Sequence, residues 1–168
     1  MRIFIFVLSL TWCFSAKATD FILTSKSFLE NGVMPTLYTC DGKNISPELH
    51  WANPPTKTAA FALILDDPDA PAGTWYHWLV YNIPVITQDF SEGMQKFPAG
   101  TLIGKNSWGK GQYEGPCPPQ GSKHHYIFTL YALDLKLDAL VEVDGKKLLA
   151  QIQDHIIQKA QLSMVYAR

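Results

Sequence analysis

Past residue 18 this 168-residue sequence has no second long apolar run and no amphipathic stretch suited to a bilayer surface. Membrane insertion is therefore not supported. Nor is there an excess of positive charge, since 14 Lys and Arg stand against 15 Asp and Glu, for a net charge of −1. Binding duplex nucleic acid needs clustered basic groups, so that class is disfavoured. Charged residues make up only 17% of the chain, against a usual share of about 25%. No repeat, low-complexity tract or charge block follows residue 18. A Gly-x-Ser-x-Gly elbow, a Walker loop, a His-Glu-x-x-His pair and a dinucleotide fingerprint are all missing, which removes the commonest hydrolase, nucleotide and zinc-protease signatures. What remains is 47% hydrophobic residues with 11 Gly and 11 Pro. That composition disfavours disorder and suits one loop-rich, β-dominated domain with a real core.

The first residues have a different character. Arg2 precedes an apolar run of about a dozen residues, from Ile3 to Phe14, and Ala16-Lys17-Ala18 supplies small residues at a cleavage site. This order is that of a secretory signal peptide over residues 1–18, too short and wrongly flanked for a spanning helix. Cleavage is expected after Ala18, leaving a single domain over 19–168 in a periplasmic or secreted protein. Arg2, Lys17 and Cys13 leave with the leader, so the mature chain carries 12 basic against 15 acidic groups and two cysteines. In an exported protein the pair Cys40 and Cys117 is read as a disulfide, with free thiols or a metal site as alternatives. Such a bridge would close a loop of about 78 residues and stabilise by about 4 kcal/mol in the chain-entropy model.

Along the mature chain, Phe21–Thr24 is a short strand candidate. The apolar run Phe61–Leu65 stops at Asp66-Asp67-Pro68 and reads as a buried strand. Trp75–Ile83 is a second core strand, and Tyr126–Leu133 is the strongest strand signal. Residues 100–121 hold six glycines and three prolines, a long shaped loop. Apolar residues at Leu148, Leu149, Ile152, Ile156 and Ala160 recur with helical period over Lys146–Ala160, with Asp144 as the N-cap. A final strand, Leu162–Tyr166, follows. Many strands with one late helix predict a mainly β, antiparallel β-sandwich.

Polar chemistry gathers at the ends of these apolar strands. Period-two alternation puts Asp67 on one face with Phe61, Leu63 and Leu65, His77 with Trp75, Leu79 and Tyr81, and His124 with Tyr126, Phe128 and Leu130. If the faces converge, Asp67, His77, His124 and Tyr126 meet at one rim of the sheet. Imidazoles, a phenol and loop N–H groups suit a phosphate or carboxylate. An Asp there either meets an ammonium or holds a histidine proton in place. Zinc is the competing reading for Asp-His-His, but the spacings match no strong metal motif. A cysteine nucleophile is a poor reading, because Cys117 sits between prolines in an oxidising compartment.

Three segments carry a resemblance: Asp67-Pro68-Asp69-Ala70-Pro71; His77-Trp78-Leu79-Val80-Tyr81-Asn82-Ile83-Pro84; and Gly115-Pro116-Cys117-Pro118-Pro119 leading to His124-His125-Tyr126. With Cys40-Asp-Gly-Lys-Asn-Ile-Ser-Pro47 and Trp51, the chain resembles the phosphatidylethanolamine-binding protein family in its bacterial, Raf-kinase-inhibitor-like branch. The resemblance implies a two-sheet, Greek-key-like fold with a C-terminal helix. It further implies a small pocket for phosphate or phospholipid head groups of the phosphorylethanolamine type. Position by position, the pocket falls on Asp67, His77, His124 and Tyr126, with a wall at Gly115, Pro116, Pro118 and Pro119. His125 stands where the family often has Arg, and alternation turns it to the opposite face. A homodimer is also implied, and an alternative role as inhibitor or signalling partner of a protease or host protein. No cofactor or metal is expected. A hydrolase is the weakest alternative, since no nucleophile with an adjacent base can be named.

Overall fold

The computed structural model describes residues 20–139 and 142–168, so the expected leader and its cleavage site lie outside the described residues. Nine strands among the described residues form two sheets. The smaller sheet has the order β1-β3-β6, where β1 is Ile22–Thr24, β3 Leu49–Ala52 and β6 Asp89–Phe90. The larger sheet also takes in β2 (Gly32–Val33), β4 (Ala60–Asp67), β5 (Trp75–Pro84), β7 (Leu102–Ile103), β8 (Lys123–Leu133) and β9 (Ile156–Ala167). Its order is β2-β9-β8-β4-β5-β7, antiparallel throughout except where β2 joins β9. The expected two-sheet, mainly β architecture is the observed one.

Strand β4 is central, bonded to β5 on one side and β8 on the other, and nearly every residue in it is buried. That position explains its unbroken apolar run, because a strand covered on both faces has no solvent side to alternate against. One face turns Phe61, Leu63 and Leu65 toward Leu23, Trp51 and Phe90 of the smaller sheet, forming the main core. Trp51 meets both Phe61 and Phe90 edge-on. The opposite face carries Ala62 and Ile64 and is closed by Leu148 and Ile152 of α1, the one α-helix among the described residues (Gly145–Ile152).

Two expectations need correction. Helical spacing over Lys146–Ala160 predicts one helix, but α1 ends at Ile152, and β9 begins at Ile156 after a short 3₁₀ turn. From Ala160 onward the buried residues alternate as Ala160, Leu162, Met164 and Tyr166, and β9 pairs with β8 from Leu133 opposite Ile156. Ile156 and Ala160 are four apart by coincidence of two patterns, and long-range pairing with β8 wins over helical propensity. The Asp144 cap holds, its carboxylate accepting from the Lys147 N–H at 2.8 Å.

The second correction concerns β5. Its pairing with β4 runs Leu65 opposite Trp78 and then Asp66 opposite Tyr76, so His77 is an inserted residue. This bulge lets His77 and Trp78 both serve the inter-sheet side, while Leu79 and Tyr81 turn beneath α1. Strict alternation predicts Leu79 and Tyr81 on the His77 face, and the bulge moves them off it. A second irregularity lies near Asn82, whose backbone takes φ +57° and whose side-chain amide exchanges two 2.8 Å bonds with Leu137.

Candidate functional site

The rim where β4 ends, β5 begins and β8 begins collects the polar residues. Asp67 is the last residue of β4 and precedes Pro68. Its Oδ1 accepts the Asp69 N–H at 2.9 Å, closing the turn that Asp-Pro sequences favour. The β4–β8 register puts Asp66 opposite Ile127, which carries Asp67 toward Tyr126 and His124. Asp67 Oδ2 lies 2.8 Å from His124 Nδ1, and both side chains are almost fully buried. A carboxylate oxygen only accepts, so Nδ1 of His124 carries the proton and Nε2 is left for the cavity. Of the two roles open to this Asp, the structure shows the one that holds a histidine in orientation.

His77 is held in the same way by a different partner. Its Nδ1 lies 2.7 Å from the Glu114 carbonyl oxygen, which again can only accept. The ring is 2% exposed. Burial pushes its pKa below the ordinary histidine value, and the carbonyls of Glu114 and Gly115 with the Asp67 charge pull the other way. His77 is thus a neutral imidazole near pH 7, with its proton on Nδ1 and a lone pair on Nε2.

Tyr126 packs beneath both rings, edge-on to His77 at 5.3 Å and stacked with His124 at 6.5 Å between centroids. It is fully buried, and its hydroxyl lies beside Asp67 and the Cys117 backbone but completes a hydrogen bond with neither. Burial and the nearby carboxylates hold its pKa far above the ordinary tyrosine value, so it stays protonated.

The wall comes from the Gly/Pro loop, fastened to the segment around Thr36–Asn44. A disulfide joins Cys40 to Cys117 with Cα atoms 5.4 Å apart. Cys40 N–H donates to the Pro116 carbonyl at 3.1 Å, and Gly115 N–H donates to Asn44 Oδ1 at 2.7 Å. Gly115 sits so close to the Tyr38 carbonyl that any Cβ would collide with it. Opposite this wall, buried Asn106 organises a tight turn, its Oδ1 accepting from the N–H groups of both Trp108 and Lys110 at 3.0 Å. The turn presents Trp108 edge-on to His77 at 5.1 Å and to Trp75 at 5.4 Å.

These elements enclose a cavity of about 280 Å³. Asp67, His77, His124, Pro118 and Pro119 line it, together with Cys117, Trp75, Trp108 and the Ala70-Pro71-Ala72 turn. Of the other expected residues, Tyr126 packs under the rings, and Gly115 and Pro116 stand behind the wall as its fastening points. Trp108 lines the cavity without being marked out by the sequence. Its only signal is a large aromatic residue in a glycine-rich loop, and nothing local shows which way it points. His125 faces away as alternation implies, exposed and bonded to Asp69 through both its backbone N–H and its ring. Those two contacts hold the Asp69 carboxyl below its usual range.

Two buried imidazoles with fixed tautomers, opening on one small cavity at the rim of a two-sheet sandwich, define a small-molecule pocket on a β scaffold. Comparison with known proteins identifies which such scaffold this is. The family model for phosphatidylethanolamine-binding protein matches residues 24–167. A UPF0098 protein of Methanothermobacter thermautotrophicus is 40% identical over 149 residues, spanning 87% of this chain and 98% of its own. Another from Aquifex aeolicus is 41% identical over 157 residues, spanning 86% of this chain and 90% of its own. Among solved structures, Escherichia coli YbcL, described as a new member of the mammalian PEBP family, superposes with a TM-score of 0.85. It is 31% identical and covers 89% of this chain and 99% of its own. A phosphatidylethanolamine-binding protein homologue of Chlamydia trachomatis gives a TM-score of 0.81 at 36% identity, over 88% of this chain and 97% of its own. The chain belongs to the phosphatidylethanolamine-binding protein family.

Proposed function

We propose that this protein is an exported binding protein whose rim cavity holds a phosphate-type anion, as in phosphorylethanolamine. The observation that carries the reading is the paired anchoring of His77 and His124. Each Nδ1 is tied back to an acceptor, so both Nε2 atoms are left for the one cavity. Asp67 offsets the positive charge that His124 would take on beside an anion, while its own negative charge stays behind the ring. No nucleophile paired with a base lines this cavity among the described residues, and Cys117 is tied up in its disulfide. Binding, not catalysis, is the function this arrangement suits. The disulfide and the apolar leader both favour an oxidising compartment outside the cytoplasm.

Calorimetric titration with phosphorylethanolamine tests the reading. Saturable heat is expected with the wild-type chain, and a large loss of affinity with His124→Ala. No heat with the wild type, or equal binding by His124→Ala, would sink it.

A further inference from the structure

We propose that the cavity takes a phosphate group that still carries a P–OH proton, as inorganic phosphate or a phosphomonoester does, in preference to the phosphodiester of an intact phospholipid head group. The inference rests on the anion-binding reading above and concerns which class of anion fits. It follows from the hydrogen-bonding polarity of two atoms.

His77 offers an acceptor. Its one proton is spent on the Glu114 carbonyl at 2.7 Å, and no acidic side chain is hydrogen-bonded to its ring. Nδ1 is the ring nitrogen held by the Glu114 carbonyl, with the Gly115 carbonyl also beside the ring, and the residue lines the cavity, which leaves Nε2 as the atom to meet a ligand. To turn Nε2 into a donor, the ring must become a cation at a site that is 2% exposed, which burial opposes. His124 is different, because its Nδ1 faces the Asp67 carboxylate at 2.8 Å. Against a bound anionic oxygen its Nε2–H donates into the cavity, with the Asp67 carboxylate on the ring's other nitrogen to balance the charge.

One ligand polarity matches both atoms. A monoprotonated phosphate group donates its P–OH to His77 Nε2 and accepts from His124 Nε2–H through a charged oxygen. A phosphodiester has only acceptor oxygens, and so does sulfate. Either one sets an oxygen lone pair against the His77 lone pair, or must charge a buried ring. The other groups facing this pair do not change the match. Tyr126 lies beneath with its hydroxyl beside Asp67, the Gly115 backbone flanks the Glu114 carbonyl, and Asp69 is engaged by His125. Arg168 stands behind the disulfide, with Nη1 3.4 Å from Cys117 Sγ and Nε 3.1 Å from Asp41. Sites that hydrogen-bond a particular ligand proton discriminate strongly against isosteres lacking it.

The test is a four-ligand calorimetric panel on the oxidised protein at about pH 6, near the second pKa of a phosphomonoester. Inorganic phosphate is compared with sulfate, and phosphorylethanolamine with glycerophosphorylethanolamine, which keeps the ethanolamine but is a diester. In each pair the first ligand is expected to bind at least tenfold more tightly, about 1.4 kcal/mol. His77→Gln, whose amide can turn either an N–H or an oxygen toward the cavity, is expected to bring both ratios close to unity. Equal affinity within the pairs for the wild type, or tighter binding of the diester, would overturn the inference and leave anion binding standing. Absence of binding by all four ligands would overturn the anion reading itself.

Discussion

Asp66 is the carboxylate that the fold holds at a cost. It follows six apolar residues on β4, opposite Tyr76 on β5 and Ile127 on β8, and it turns away from the inter-sheet core. No cation pairs with it among the described residues, and burial, with the Asp67 charge next door, raises its pKa from 3.8 to about 6. The folded state therefore binds this proton more tightly than the unfolded chain does. Stability is unaffected by Asp66 while both states are protonated, falls as pH rises from about 4 to about 6, and is flat above that. A shift of about two units at 1.36 kcal/mol each sets the penalty near neutrality at up to about 3 kcal/mol. Asp66→Asn keeps the shape and removes the charge. At about pH 8 the variant is expected to melt roughly 6–12 °C above the wild type, taking 2–4 °C per kcal/mol for a domain of this size. At about pH 3.5 the two should nearly coincide, because neither then carries a charge at this position. Thermal unfolding followed by circular dichroism at both pH values measures the difference. A gap that is absent at high pH, or equal at both, would refute the reasoning.

Other consequences are equally direct. Replacing Cys40 and Cys117 together by Ser frees a loop of 77 residues' separation and is expected to cost about 4 kcal/mol in denaturant unfolding; a loss under about 1 kcal/mol would show that the bridge constrains little. Tyr126→Phe removes a buried hydroxyl that completes no hydrogen bond, so stability should hold or rise by up to about 1 kcal/mol, and a loss above about 2 kcal/mol would mean the hydroxyl is bonded. Gly145→Ala gives α1 a better helix former, worth about 1 kcal/mol, but the new Cβ would run into the Tyr76 ring. Overpacking of that kind costs about 1–3 kcal/mol, so net destabilisation is expected in a urea titration, and a stabilised variant would show that α1 can shift.

Much of this architecture is legible locally, and the reasons are physical. β4 and β8 announce themselves because a strand buried on both faces, or alternating cleanly, leaves a pattern that few other structures leave. The rim quartet Asp67, His77, His124 and Tyr126 is legible because polar residues ending apolar strands are costly unless they are paired. The end of α1 is not legible, since Ile156 and Ala160 satisfy a helical spacing and a strand partner at once. Only pairing with β8, set more than twenty residues away, decides between them. The bulge at His77 is likewise invisible in sequence. It keeps His77 at the rim beside Tyr126 while turning Leu79 and Tyr81 to the other face. Trp108 depends on the Asn106 turn, whose hydrogen bonds reach back to the His77 and Gln112 carbonyls.

The central claim is that His77 and His124 present their Nε2 atoms to a phosphate-type anion. Nitrogen-15 NMR of the histidine rings during titration with phosphorylethanolamine reads those atoms one by one. Saturable shifts are expected at Nε2 of His77 and His124, with His50, His125 and His155 unmoved. Shifts confined to those three, or none at saturating ligand, would contradict the account.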